Sequence, residues 1–219
     1  MSLRPRLARV NPTMLKLGLT GGIASGKSTV AAMLREMGFA VLNADLLAHE
    51  LIETGRPAYG EILREFGSTI VDGEGRIDRR KLGALVFADR AKLDRLNAIV
   101  HPRVAEAAFR QFDEWERAGT YHAAFLEAAL IVEAGLHKRV DGVVVVWCKP
   151  EQQLERLVAR GLSNAEAKRR FDAQLPVIEK LRHATEQIDC SGTLQETRSQ
   201  VEALTAKLRH ASPSRDARA

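Results

Sequence analysis

Leu15-Lys16-Leu17-Gly18-Leu19-Thr20-Gly21-Gly22-Ile23-Ala24-Ser25-Gly26-Lys27-Ser28-Thr29-Val30 decides the fold class of this 219-residue sequence. The apolar run at 15–19 reads as a short buried strand, and the glycines after Thr20 break it. Val30, Met33, Leu34 and Met37 then recur at helical spacing until Gly38 stops the pattern. Between strand and helix, residues 21–28 fit G-x-x-x-x-G-K-[ST] at every fixed position. Glycines let such a loop curl so that successive N–H groups face phosphate oxygens, and the following helix adds its dipole. The expected nucleotide contacts are Gly21, Gly22, Ile23, Ala24, Ser25, Gly26, Lys27, Ser28 and Thr29. Lys27 reaches for the β- and γ-phosphates, and the Ser28 hydroxyl is the expected Mg²⁺ ligand.

Outward from this loop, strand and helix patterns alternate. A second strand is expected over 39–42, then helices over 46–53, 59–66, 79–87, 92–100 and 103–117. Thr54-Gly55-Arg56-Pro57 and Asp72-Gly73-Glu74-Gly75 are turns, and His101-Pro102 reads as the break between the last two helices. Strands return over 123–126 and 142–148, the second too continuously apolar to be half exposed. Helices over 151–160, 165–174 and 176–183, a weak strand over 187–190 and a helix over 194–209 complete the chain. This alternation predicts an α/β fold: a five-stranded parallel sheet flanked by helices, with one helical insertion between the second and third strands. The second strand is expected to lie beside the first.

The charge balance excludes less than it first suggests. The chain carries 33 Lys plus Arg against 28 Asp plus Glu, a net +5 with a pI near 9.5. Residues 1–13 and 207–219 each contribute +3, which leaves 14–206 at −1. Both tails read as disordered, and Met14 reads as the natural start with 1–13 an extension. Residues 156–182 are +4, with the remaining core at −5. No basic–aromatic interleaving supports nucleic-acid binding, and no apolar run approaches a membrane span. Cys148 and Cys190 suggest neither a disulfide framework nor a zinc cluster, so a cytoplasmic protein is expected.

Asn-Lys-x-Asp is absent, which argues against a GTPase; the insertion and the basic segment suit a small-molecule kinase with a closing lid. Asp45, directly after the second strand, is positioned to accept or orient the proton of an attacking hydroxyl, or to cap the following helix. Glu127, and less directly Glu133, lie at the end of the third strand, where an acid can hold Mg²⁺. Arg160, before Gly161, is the expected cation for the transferring phosphoryl group, with Arg156, Lys168, Arg169, Arg170, Lys180 and Arg182 in the same segment.

These residues resemble the dephospho-coenzyme A kinase family across about 15–208. The resemblance rests on the loop at 17–30, Ala44-Asp45, Phe66-Gly67 and Asp72-Gly73. It extends through Leu96-Asn97-Ala98-Ile99-Val100-His101-Pro102, Leu130-Ile131-Val132-Glu133-Ala134-Gly135-Leu136, and Ala173-Gln174 before Lys180. The resemblance implies ATP- and Mg²⁺-dependent phosphorylation of the ribose 3′-hydroxyl of dephospho-CoA. It implies a nucleotide-binding core (14–45, 119–159 and 184–208), a helical CoA domain (46–118) and a mobile lid (160–183), with 209–219 a tail. Asp45 matches the family's acid at the acceptor hydroxyl, Lys27 and Ser28 its phosphate and metal ligands, and Arg160 a lid arginine. Asn43, His49, Ala129, Gly161, Thr185 and Cys190 differ from the family's usual residues. Another nucleotide or small-molecule kinase and a catalytically idle ATP- or CoA-binding regulator remain the alternatives.

Overall fold

The computed structural model describes residues 14–210, so the expectations for 1–13 and 211–219 fall outside the described residues. Five strands form one parallel sheet: β1 (Leu15–Gly21), β2 (Ala40–Asn43), β3 (Ala123–Glu127), β4 (Gly142–Trp147) and β5 (Glu186–Asp189), in the order β2-β3-β1-β4-β5. β2 therefore lies beside β3, not beside β1. Burial explains the correction. β3 is buried at all five positions and takes an interior place, while β2 keeps three half-buried positions and takes the edge. The continuous valines of β4 are buried on both faces, as their pattern requires.

One face of the sheet packs on α1 (Lys27–Glu36) and α9 (Leu194–His210) through Val30, Leu34, Val201 and Leu204. α9 continues through His210, so Arg209 and His210, expected to open the disordered tail, are helical instead. The other face packs on α2 (Ala44–Leu51) and α5 (Arg90–Ala118), with Val104, Ala108 and Phe112 against Ala124 and Leu126. Between these lie α3 (Tyr59–Phe66) and α4 (Arg79–Phe87), which close a separate core of Ala58, Ile62, Ile70, Leu82 and Val86. α6 (Pro150–Ala159), α7 (Asn164–Asp172) and α8 (Val177–Leu181) follow β4.

Pro102 does not divide two helices: α5 runs unbroken for 29 residues with the proline inside it. A mid-helix proline costs about 3 kcal/mol through its missing N–H and its clash with the carbonyl four residues back. Burial on both sides offsets that cost, because Leu93, Leu96 and Ile99 pack into the insertion core and Ala108 and Phe112 into the sheet core. α2 also starts earlier than its pattern suggests. Asn43 is its cap, accepting from the Asp45 and Leu46 N–H groups at 2.9 and 3.0 Å, so capping falls to Asn43 rather than Asp45.

Candidate active site

β1 delivers the glycine-rich loop to the carboxyl edge of the sheet, and α1 starts from it. Gly26, the α1 N-cap, has φ 103°, and no side chain caps the helix. Its first-turn N–H groups therefore suit a bound anion. A Cβ at Gly21 would collide with the Val146 carbonyl of the neighbouring strand, and one at Gly26 would lie 2.9 Å from Cys190 Sγ. Both glycines are thus sterically required. Ala24, at φ 56°, is the one non-glycine with positive φ among the described residues.

The surrounding structure holds this strained loop from below. Arg156 donates from Nη1 to the Ala24 carbonyl at 3.2 Å and from Nη2 to the Cys190 carbonyl at 2.8 Å. Buried Gln153 donates to the Ile23 carbonyl at 2.5 Å, while Gln174 Oε1 accepts from the Ile23 N–H at 2.7 Å. One loop residue is thus gripped at both its N–H and its carbonyl by side chains on either side of α7. Ile23 and Ala24 also pack with Leu157 and Ala167, so α6 and α7 share a small core with the loop.

Glu127, 2% exposed at the end of β3, is the centre of the site. Its Oε1 accepts from Lys27 Nζ at 3.0 Å and Ser28 Oγ at 3.1 Å; its Oε2 accepts from Asn43 Nδ2 at 3.0 Å and Arg35 Nη2 at 3.4 Å. Burial pushes this carboxyl up, but the Lys27 charge and the donors from Lys27, Asn43 and Ser28 prevail and hold it below the usual carboxylate range. Sequence register explains the convergence, since Glu127 pairs with Leu19 on one side and Asn43 on the other.

Asp45 lies on the first turn of α2 at the same sheet edge, and its side chain is exposed. Arg160 caps the end of α6 and, with Gly26, Thr29, Arg156, Cys190 and Thr197, lines a cavity of about 230 Å³ beside the loop. The other cations of the basic segment divide sharply. Lys168, Arg170 and Arg182 pair with Asp172, Glu166 and Glu179 on exposed helix faces. Lys180 is fully buried and donates to the Ala129 carbonyl at 2.7 Å and Glu133 at 2.6 Å. Glu133 is therefore engaged by Lys180 rather than brought to Ser28.

The sequence missed Asn43 and Gln153 as site residues, and it offered Arg156 as a phosphate cation rather than as the donor to the Ala24 and Cys190 carbonyls that it is. An asparagine ending a strand before a helix is a cap signal, and it was available; nothing in the local pattern pointed Gln153 or Arg156 at the loop carbonyls. A dephospho-CoA kinase family model matches residues 15–196. The chain belongs to the dephospho-CoA kinase family. A dephospho-CoA kinase of Symbiobacterium thermophilum is 48% identical over 85% of this chain and 78% of its own length. One from Bacillus cereus is 44% identical over 86% and 94%. Among solved structures, TT1252 from Thermus thermophilus superposes with a TM-score of 0.76 at 37% identity, covering 90% of this chain and 98% of that one. A dephospho-CoA kinase from Campylobacter jejuni gives 0.67 at 26% identity, over 88% and 96%. The family is a kinase family, and the five-stranded parallel sheet with its phosphate loop is a P-loop kinase fold.

Proposed function

We propose that the chain transfers the γ-phosphoryl group of ATP to the ribose 3′-hydroxyl of dephospho-CoA, giving CoA and ADP, the last step of CoA synthesis. Family membership supports the reaction. The observation that carries it to these residues is the convergence of Lys27 and Ser28 on buried Glu127, with Asp45 on the helix that begins at the same sheet edge.

In this mechanism the loop N–H groups and Lys27 take the phosphates, and Lys27 exchanges the Glu127 carboxylate for phosphate oxygens. Arg160 closes the cavity side and offsets charge on the transferring oxygens. Asp45 accepts the hydroxyl proton as the new O–P bond forms and the bond to the β–γ bridging oxygen breaks, releasing ADP. Ser28 Oγ and Glu127 Oε1, hard oxygen atoms 3.1 Å apart, suit Mg²⁺, and these two residues would hold it. When bound, the ion neutralises phosphate oxygens.

On this reading 46–118 carries the CoA acceptor and 160–183 is a mobile lid over the core formed by 14–45, 119–159 and 184–208. No helix of the described residues is long and apolar enough to cross a membrane. Both co-substrates are anionic phosphates of the cytoplasm, where the reaction belongs, and neither nucleic acid nor membrane takes part. Incubation with ATP, Mg²⁺ and dephospho-CoA, followed by mass spectrometry, is expected to show one phosphoryl group added to dephospho-CoA. Nucleoside monophosphates and shikimate serve as competing acceptors. Return of dephospho-CoA unchanged would reject the reading.

A further inference from the structure

Asn43 makes contacts in two directions. At the end of the edge strand β2, its Oδ1 accepts from the Asp45 and Leu46 N–H groups and starts α2. Its Nδ2 donates to Glu127 Oε2 at 3.0 Å, across the register pair that the two residues form. Glu127 receives Lys27 and Ser28 on its other oxygen. One amide side chain therefore joins the phosphate-loop lysine and serine, through Glu127, to the backbone of the exposed acid.

Few side chains can do both. The role needs an acceptor and a donor on one short branch, which asparagine supplies. Aspartate caps a helix as well as asparagine but cannot donate to a carboxylate, and serine caps but is too short to span to Glu127. Cap function alone does not account for an amide directed at the most buried carboxylate of the site.

We propose that Asn43 is a positioning residue for phosphoryl transfer: it fixes the start of α2, and with it Asp45, relative to Glu127, Lys27 and Ser28. This rests on the reaction proposed above. Transfer between two bound groups depends steeply on their alignment, and a displacement of about 1 Å can cost about 100-fold in rate. The bridge sets that alignment without touching ATP or acceptor, so its loss falls on kcat and spares nucleotide affinity.

Two variants separate cap from bridge. Asn43→Ser and Asn43→Thr both keep a capping oxygen, and both lose the amide donor to Glu127. Each is expected to lower kcat for dephospho-CoA phosphorylation about 10- to 100-fold. The KM for ATP is expected to stay within about twofold, and Tm within a few degrees of the parent. Asn43→Ala is expected to show the same kcat loss with a further fall in Tm from the missing cap. Turnover within twofold of the parent in Asn43→Ser, or a kcat loss that merely follows unfolding, would overturn the proposal.

A second readout needs no turnover. In a stability cycle of Asn43→Ser, Glu127→Ala and the double variant, the Tm loss of the double variant is expected to be smaller than the sum of the two singles. Additive losses would overturn the bridge. If the parent protein fails to phosphorylate dephospho-CoA but the cycle is non-additive, the reaction is wrong and the bridge stands.

Discussion

The phosphate-loop side and the insertion side of this molecule are built in opposite ways. Around the phosphate loop, Gln153, Arg156 and Gln174 hold two successive residues by three polar contacts, and Glu127 is sealed beneath four donors. On the insertion side Asp45 is exposed, Leu46 is 61% exposed and Phe87 is 80% exposed. The insertion has its own small core, joined to the sheet mainly through α2 and α5. On the proposed function, the nucleotide side has its contacts in place without ligand, and the acceptor side keeps exposed surface for a substrate to cover. A preformed anion cradle lowers the reorganisation required at reaction, while an open acceptor face allows a large substrate to enter.

The contrast breaks most visibly at the two charged ends. On the proposed mechanism Asp45→Asn removes proton acceptance while retaining the helix and the loop, so kcat is expected to fall about 10²- to 10⁴-fold. ATP affinity, read by equilibrium binding, should remain near the parent value. Lys27→Ala acts on the phosphate-loop side and should cost about 10²- to 10³-fold in kcat. There the KM for ATP should rise as well, because the lysine holds phosphate in the ground state too. A loss confined to kcat in Lys27→Ala would erase the distinction between the two halves.

A smaller effect is expected at the grip on Ile23. Gln174→Ala leaves one loop N–H without its protein acceptor and should lower kcat/KM for ATP about tenfold, measured by steady-state kinetics. Circular dichroism should show the fold intact. The mildest change belongs to the insertion. Burial pushes the His101 imidazole below its ordinary pKa, so the unfolded chain binds the proton more readily than the folded one. Stability is thus expected to decline as pH falls through the ordinary histidine range, levelling below the depressed folded pKa. His101→Asn should flatten that part of the Tm–pH curve by about a few degrees or less, without altering ATP affinity.

The same division governs how much could be read from the sequence. The loop motif, the strand before it and the helix after it are contiguous, so spacing alone located Gly21 to Thr29. Glu127 was legible because it ends an apolar strand. The lateral order of β2 and β3 was not, since both are short and only three-dimensional burial distinguishes edge from interior. Pro102 misled for a related reason: its local penalty is plain in the sequence, whereas the two cores that override it draw on residues from 14 to 136. Gln153, Arg156 and Gln174 lie 130, 132 and 151 positions from their loop partners, where no periodicity can point. Lys180 is expected from its segment to join the cations at the phosphoryl group, but folding places it in the interior, paired with Glu133.

α5 belongs to both halves, and its proline gives that sharing a mechanical meaning. The helix is a lever with Pro102 at the fulcrum, one arm set in the sheet core and the other in the insertion core. The arm over 90–101 is about 18 Å long at the usual helical rise. A change of about 10° at the fulcrum sweeps its far end by about 3 Å, comparable to the last approach of a hydroxyl to phosphorus. A bend at Pro102 would therefore re-aim the insertion core relative to the sheet core, with Val100, which packs against both, as the contact that strains first.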